Sequence, residues 1–167
     1  MSTPHFLNLL ESSFAGTMAD KGEKPFRYEQ IRRWVYERRV TSPEDMSNLS
    51  KPLRQWLNES LDFSLPEIIN RLDGEDGSTK LLLRTREGLT METVILRYPG
   101  RVSLCVSSQV GCRLACTFCQ TGKLGFFRNL SAGQILAQYF LAQKICDQED
   151  GRRISHIVFM GMGELLD

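Results

Sequence analysis

Residues 102–119 read Val102-Ser-Leu-Cys105-Val-Ser-Ser-Gln-Val-Gly-Cys112-Arg-Leu-Ala-Cys116-Thr-Phe-Cys119, and this stretch decides the fold class. Apolar residues at 102, 104 and 106 alternate with polar ones, which predicts a β-strand. The three later cysteines are separated by three and two residues, on the segment that leaves this strand. The sequence therefore predicts a Cys-x3-Cys-x2-Cys loop at the end of a strand.

The residues after the cysteines complete one α/β unit. Ser131 and Gln134 have the spacing of a capping box, which predicts the start of a helix. Residues 154–160 are mostly apolar, which is typical of a strand buried on both faces of a parallel sheet, and a glycine-containing loop follows. The order of strand, cysteine loop, helix, strand and glycine loop predicts a βαβ unit over residues 101–167.

The residues before this unit divide into three segments. Residues 1–25 are polar and interrupted by glycine and proline, so we expect a weakly ordered N-terminus. Three short helices are predicted within residues 26–66, two of them from start signals at Ser42 and Ser50. Residues 67–100 are rich in β-forming residues around a glycine turn, which predicts a β-hairpin extension.

Composition excludes several classes of protein. Apolar residues make up 41% of the 167 residues and charged residues 25%, values that are typical of globular proteins and exclude collagen-like and wholly disordered chains. No apolar run reaches the roughly 18 residues of a transmembrane helix, and the N-terminus lacks the features of a secretory signal. We expect a soluble, cytoplasmic protein without a membrane segment.

The formal net charge of +1 hides an uneven distribution. Residues 93–146 contain no carboxylate but six cations, namely Arg97, Arg101, Arg113, Lys123, Arg128 and Lys144. Such a segment suits an anionic ligand or a nucleic acid, although chance segregation in a core-rich stretch is the alternative. Residues 24–39 are also basic, and they either contact RNA phosphates or form a solvated helix face.

The cysteine triplet predicts a metal site. Thiolates are soft ligands that suit zinc or an iron–sulfur cluster, and disulfides are rare in cytosolic proteins. A structural zinc needs four ligands, so Cys105 or a histidine would have to join the triplet. His5 and His156 do not have metal-finger spacing, and we expect a lone histidine flanked by apolar residues, as His156 is, to pack in the core. Spacing favours the cluster and leaves zinc and unligated thiols as alternatives.

A wider set of motifs resembles one family. The triplet, with Phe118 before its last cysteine, resembles the signature of the radical S-adenosylmethionine (SAM) superfamily. Three stretches resemble the RlmN/Cfr family of RNA adenine methyltransferases, namely Val106-Ser-Ser-Gln-Val-Gly-Cys112, Cys116-Thr-Phe-Cys-Gln-Thr-Gly122 and Gly125-Phe-Phe-Arg-Asn-Leu130. Stretches similar to that family's N-terminal domain are Phe26-Arg-Tyr-Glu-Gln30, Trp34, Met46-Ser-Asn-Leu-Ser50 and Leu53-Arg54.

The resemblance implies a cofactor site. Cys112, Cys116 and Cys119 would ligate a [4Fe-4S] cluster, and SAM would bind its open iron through amino and carboxylate groups and be cleaved to a 5′-deoxyadenosyl radical. The stretch Gly161-Met162-Gly163-Glu164 resembles the family's Gly-Met-Gly-Glu-Pro loop, which contacts SAM. Glycines allow a backbone to approach a ligand closely, although a simple strand-to-helix turn is the alternative for this loop.

Two further residues receive roles from the resemblance. Glu92 occupies the position of an acid that accepts a proton at the adenine, and it shares a strand face with Val94 and Leu96, an apolar setting that would suit a general base. The sequence alone favours the alternative, an exposed strand carboxylate. Cys105 matches a cysteine that forms a transient disulfide during product release, with a partner that this chain lacks, or else it is a buried small residue. Cys146 has no match, and we expect it to pack in the core.

The resemblance also implies a reaction and partners. The similarity leans towards the RlmN branch, which methylates C2 of adenine in 23S rRNA and tRNA. Cfr-type methylation at C8 and a non-catalytic iron–sulfur or RNA-binding fragment are the alternatives. An electron donor such as flavodoxin would supply reducing equivalents, and we expect a monomer.

The implied fold is a partial (β/α)6 TIM-like barrel. Family chains are about twice as long, and this sequence contains counterparts of two barrel strands. Glu164 is followed by Leu165 where the family has proline. A buried parallel strand needs neighbours and covering layers, so we expect an incomplete barrel and a truncated chain that is not self-sufficient as an enzyme.

Overall fold

The protein is described by a computed structural model over residues 4–8 and 12–166, and it falls into two units, Met1–Ser64 and Leu65–Asp167. The first unit is helical, and the second is built on a β-sheet. Within the described residues, no helix is long and apolar enough to cross a membrane.

The described part of the first unit contains three α-helices and shorter turns. The helices are α1 (Ser12–Asp20), α2 (Pro25–Arg32) and α3 (Lys51–Ser60), and α2 continues as a π-helical turn over Arg33–Glu37. The predicted start at Ser50 is confirmed, because its hydroxyl accepts from the Leu53 amide at 3.4 Å. The Ser42 hydroxyl accepts from the Glu44 amide at 3.3 Å, but the element that follows is a single 3-10 turn, Pro43–Asp45, rather than the predicted helix. Such caps satisfy amides that a helix leaves without partners. The core of the unit includes Ile31, Val35, Met46, Leu49, Leu53 and Leu57.

The N-terminal segment is more ordered than the prediction of a weakly ordered N-terminus over residues 1–25. Helix α1 buries Phe14 and Met18, and a 3-10 turn at Phe6–Asn8 buries Phe6 and Leu7. The Phe14 ring stacks on Trp56 with a centroid distance of 6.1 Å. Apolar burial offsets the conformational entropy of ordering this segment. Residues 1–3 and 9–11 lie outside the described residues.

The second unit contains a five-stranded sheet in the order β1-β2-β3-β4-β7 and a two-stranded ribbon, β5-β6. The strands are β1 (Glu67–Asp73), β2 (Thr79–Arg84), β3 (Thr90–Tyr98), β4 (Arg101–Cys105), β5 (Gln109–Gly111), β6 (Phe126–Asn129) and β7 (Ile154–Val158). Its helices are α4 (Gln120–Lys123) and α5 (Ala132–Glu149). Strands β1 to β4 pair antiparallel, whereas β4 and β7 are parallel. The β4-α5-β7 connection confirms the predicted βαβ unit, and the capping box at Ser131 and Gln134 is formed.

The sheet has a core face and a partly open face. On the core face, residues of β2, β3 and β4 pack in one cluster with Ala142, Ile145 and Cys146 of α5, which confirms the packing role of Cys146. The opposite face carries Glu92, Val94, Leu96 and Cys105, all of intermediate exposure.

The prediction that residues 154–160 are buried on both faces was wrong. Ile154 is buried, but Ile157 and Phe159 are exposed, because β7 forms the edge of the sheet. His156 is also exposed rather than packed in the core, and its ring hydrogen-bonds with the Ser155 hydroxyl at 2.8 Å.

Candidate functional site

The candidate site lies at the carboxyl ends of the parallel strands β4 and β7. Cys105 and Val158 are paired at these ends, and the Val106 amide continues the pairing by donating to the Val158 carbonyl at 2.9 Å. In α/β sheets the edge formed by the carboxyl ends of the strands is where ligands bind. Two loops leave this edge: the cysteine loop, residues 112–119, and the glycine loop, residues 161–164.

The backbone of the cysteine loop is held by the β5-β6 ribbon and by two glycines. The Cys112 amide donates to the Gly125 carbonyl at 3.1 Å, and Gly111 has φ +77°, where a Cβ atom would collide with the same carbonyl. A Cβ atom on Gly122 would lie 2.9 Å from both the nitrogen and the oxygen of Cys116. Ala115 has φ +48°, a rare conformation for a residue with a side chain that often marks functional loops. The loop therefore depends on close backbone contacts that only glycine permits.

The three thiols of the loop are free and partly accessible. The amides of Gly122 and Thr121 hydrogen-bond with the Cys119 sulfur and hold the pKa of its thiol below the ordinary value. This favours the thiolate, which is the metal-binding form. Over residues 4–8 and 12–166, however, no three His, Cys, Asp or Glu side chains are grouped so as to hold one metal ion. The structure thus places the three cysteines on one short loop without gathering their sulfurs around a single point.

The glycine loop is bonded to the segment that leads into the cysteine loop. The Gly161 amide donates to the Val106 carbonyl at 3.1 Å, and the Met162 carbonyl accepts from the amides of Ser108 and Gln109 at 2.9 and 3.1 Å. Gly163 has φ +105°, and a Cβ atom there would lie 2.6 Å from the Gln109 Cβ. The four residues are therefore fixed against the neighbouring strand by their main chain.

Glu92 lies on β3, on the partly open face of the sheet. Its carboxylate Oε1 is 3.1 Å from the Lys80 ammonium of β2, and the two side chains are 43% and 46% exposed. The prediction that Glu92 shares a face with Val94 and Leu96 agrees with the alternating burial of β3. The apolar setting that would suit a general base is not found, because the pairing register of β2 and β3 brings Lys80 to the carboxylate.

Cys105 lies on the same face as Glu92. It is directly opposite Val94 of β3, two residues from Glu92. Burial raises the pKa of its thiol, and a hydrogen bond with the backbone of Met160 partly offsets this effect. All five cysteines are free within the described residues, so the disulfide implied for Cys105 is not found.

Comparisons with known proteins agree for both units. The family model of the ribosomal RNA large subunit methyltransferase N-terminal domain matches residues 5–62. The dual-specificity RNA methyltransferase RlmN of Alkalilimnicola ehrlichii is 47% identical over 164 residues, 97% of this chain and 45% of its own length. The chain belongs to the RlmN family.

Other relatives support this assignment. The probable dual-specificity RNA methyltransferase RlmN of Bacillus subtilis is 46% identical over 150 residues, which cover 90% of this chain and 41% of that protein. The crystal structure of a radical SAM methyltransferase from Sphaerobacter thermophilus superposes with a TM-score of 0.84 at 38% identity, covering 95% of this chain and 46% of that one. This RlmN-family chain therefore spans less than half the length of these relatives.

Gln109 is a residue of this RlmN-family chain that the sequence did not single out. Its side chain is buried, and its Oε1 accepts from the amides of Arg113 and Glu164 at 3.4 and 3.3 Å. Its Nε2 donates to the Asn129 Oδ1 at 2.9 Å. One carboxamide thus joins the cysteine loop, the glycine loop and β6. The only signal in the sequence is the polar run of residues 107–109 between two apolar strands.

Proposed function

We propose that this chain carries the cofactor-binding part of a radical SAM enzyme that methylates C2 of adenine in 23S rRNA and tRNA. The observation that carries the proposal is the shared hydrogen-bonded frame of the cysteine loop and the glycine loop at the ends of two parallel strands. Such a frame keeps a metal-binding loop and a small-molecule-binding loop at a constant separation, as a cofactor and its co-substrate require.

Cys112, Cys116 and Cys119 would hold a [4Fe-4S] cluster. Three thiols on one accessible loop are a soft donor set, and the lowered pKa of Cys119 favours its ligating form. Each thiolate of such a cluster binds a different iron, so the sulfurs need not converge on one point. When bound and reduced, the cluster supplies the electron that cleaves SAM to a 5′-deoxyadenosyl radical.

The glycine loop would bind SAM. Because Gly161 and Gly163 are required by contacts with Ser107 and Gln109, their positions are fixed before any ligand arrives. Backbone groups without side chains in the way can approach a ligand closely and hydrogen-bond with its ammonium and carboxylate. Met162 and Glu164 complete the loop.

Glu92 would accept the proton that the adenine loses. Its side chain is 43% exposed and its carboxylate lies 3.1 Å from the Lys80 ammonium, so a carboxyl oxygen is accessible to a substrate as a proton acceptor. Cys105 would lie beside the substrate during product release, since it is on the same face of the sheet as Glu92. Both residues face the partly open side, where a substrate base has access.

The helical unit and the rest of the sheet unit would contribute RNA binding and the supporting fold. Residues 26–66 would contact RNA, for which the guanidinium of Arg38 over the Trp34 ring, at 4.1 Å, offers a cationic and stacking surface. Residues 67–100 would form the extension that carries Glu92, and residues 101–167 the first part of a partial (β/α)6 barrel. The partners would be the RNA substrates and a reduced electron carrier such as flavodoxin, and the chain would act as a cytoplasmic monomer.

Anaerobic reconstitution tests the proposed cluster. We expect about four irons per chain, and Cys112→Ala, Cys116→Ala or Cys119→Ala should each reduce the iron content strongly. Cys146→Ala is the matched control, because Cys146 lies on α5 and packs in the core, and this variant should retain the iron. One colourless metal ion per chain would indicate a zinc module and contradict the proposal.

Methylation of an RNA oligonucleotide, read by mass spectrometry of the digested nucleosides, tests the reaction. We expect any methyl group that the reconstituted protein transfers to the RNA to be at C2 of adenine. Methylation at C8 would indicate the Cfr-type reaction. A cluster that does not respond to SAM, together with salt-dependent RNA binding, would indicate a non-catalytic module.

A further inference from the structure

Ser107 connects the strand of Glu92 with the glycine loop through one hydroxyl group. Its Oγ donates to the Glu92 carbonyl at 2.6 Å and accepts from the Met162 amide at 2.9 Å. Ser107 is fully buried, so water cannot replace either bond. Buried polar groups that lose their partners carry a large desolvation penalty, and the two bonds therefore fix the separation of these segments.

The backbone of Ser107 is itself clamped by Gln138 of α5. The Ser107 amide donates to the Gln138 Oε1, and the Gln138 Nε2 donates to the Ser107 carbonyl, both at 2.9 Å. Gln138 is fully buried as well. Because helix α5 is packed on the core face of the sheet, this pair of bonds holds Ser107 relative to the rigid part of the unit.

The glycine loop packs directly against the Ser107 hydroxyl. A Cβ atom on Gly161 would lie 2.7 Å from the Ser107 Oγ. The loop therefore rests against the hydroxyl as well as hydrogen-bonding with it. Any outward or inward shift of the loop changes the Met162 bond or produces a collision.

We propose that Ser107 is a positioning residue that holds the glycine loop at the distance from the strand of Glu92 that SAM binding requires. The inference rests on the proposed function of the loop and of Glu92. Ser107 acts through the Met162 amide and the Glu92 carbonyl, so its removal loosens the loop without removing a group that touches the ligand.

The test compares Ser107→Ala with Ser103→Ala. Ser103 is a buried serine on β4, four residues before Ser107, and its hydroxyl makes no hydrogen bond within the described residues. SAM affinity is measured by titration calorimetry on the anaerobically reconstituted chain at a temperature where each variant is folded. We expect Ser107→Ala to weaken SAM binding roughly tenfold, as the loss of one buried hydrogen bond would, and Ser103→Ala to leave it unchanged.

The inference would be overturned if both variants bound SAM as tightly as the wild type, or if both lost the same amount of SAM affinity. Hydrogen exchange of the Met162 amide in the chain without cofactors is the second measurement. We expect a slowly exchanging amide in the wild type and roughly tenfold faster exchange in Ser107→Ala.

The exchange measurement separates this inference from the proposed function. A wild-type chain that holds no SAM overturns the proposed function and the SAM-related role of Ser107, whereas the exchange rate still shows whether Ser107 holds the loop. If Ser107→Ala does not fold, the exchange rate of the Met162 amide in the wild-type chain becomes the test. A Met162 amide that exchanges as fast as an unstructured one overturns the inference.

Discussion

The backbone carbonyl of Met162 accepts a hydrogen bond from the backbone amide of Gln109 at 3.1 Å. These residues are far apart in the sequence, and each lies in the segment that carries one of the two candidate cofactor loops. The bond makes the cysteine loop and the glycine loop parts of one structure. Changes at their junction should therefore affect both loops together.

Replacing Gln109 by alanine should destabilise the second unit. The substitution leaves the amides of Arg113 and Glu164 without their shared acceptor, and it removes a bond to Asn129. We expect the free energy of unfolding in urea to fall by about 1–3 kcal/mol. Gln55→Ala on the exposed surface of α3 is the control, with a change within about 0.5 kcal/mol. Equal effects at the two positions would show that the carboxamide of Gln109 does not join the loops.

Adding a methyl group to the glycine loop should be more damaging than adding one to a helix. Gly163→Ala forces an alanine to φ +105° and places its Cβ 2.6 Å from the Gln109 Cβ. We expect the free energy of unfolding to fall by about 1–3 kcal/mol.

Gly16→Ala serves as the control of opposite sign. Gly16 lies in α1, with nothing within 4 Å of an added Cβ, so alanine should stabilise the first unit by about 0.5–1 kcal/mol. Differential scanning calorimetry measures both variants. A Gly163→Ala chain that melts at the wild-type temperature would contradict the described loop geometry.

Acidification should weaken the attachment of β1. Hydrogen bonds from Arg71 and then Thr79 hold the pKa of Asp73 below its ordinary value, and Arg71 also pairs with Glu149 of α5. A lowered pKa in the folded state gives a stabilisation that is complete above the unfolded-state value of about 3.9 and is lost as the pH falls through the folded-state value. The protection factors of the β1 amides, which correct for the slower intrinsic exchange in acid, should therefore fall below about pH 4.

Asp73→Asn tests the origin of this pH dependence. The variant should lose most of the difference between the β1 protection factors at neutral and acid pH, whereas Glu75→Gln in the adjoining turn should keep it. Glu75 has no ion pair within the described residues. Identical pH profiles for all three proteins would show that Asp73 does not control the attachment of β1.

The βαβ unit could be predicted from the sequence because its signals are local. The alternation of residues 102–106 and the capping box at Ser131 and Gln134 each lie within a few residues, and both elements are found. Strand β1 was not predicted as a strand of its own, because all seven of its residues are exposed and give no pattern of burial.

The site was predictable in its parts but not in its connections. The cysteine triplet and the glycine loop are visible as motifs, whereas the roles of Ser107 and Gln109 depend on partners up to 55 residues away. The partner of Glu92 was missed for the same reason. The register between β2 and β3 determines that Lys80 meets its carboxylate, and this register cannot be read from β3 alone.

The most direct test of the account is electron-nuclear double resonance on the reduced, reconstituted chain with SAM labelled with ¹⁵N at its amino group. If the cysteine loop and the glycine loop form one cofactor site, the cluster signal should change when SAM is added and should show hyperfine coupling to the label. Ser107→Ala should weaken this response, and Ser103→Ala should not. A cluster signal that is identical with and without SAM would contradict the account.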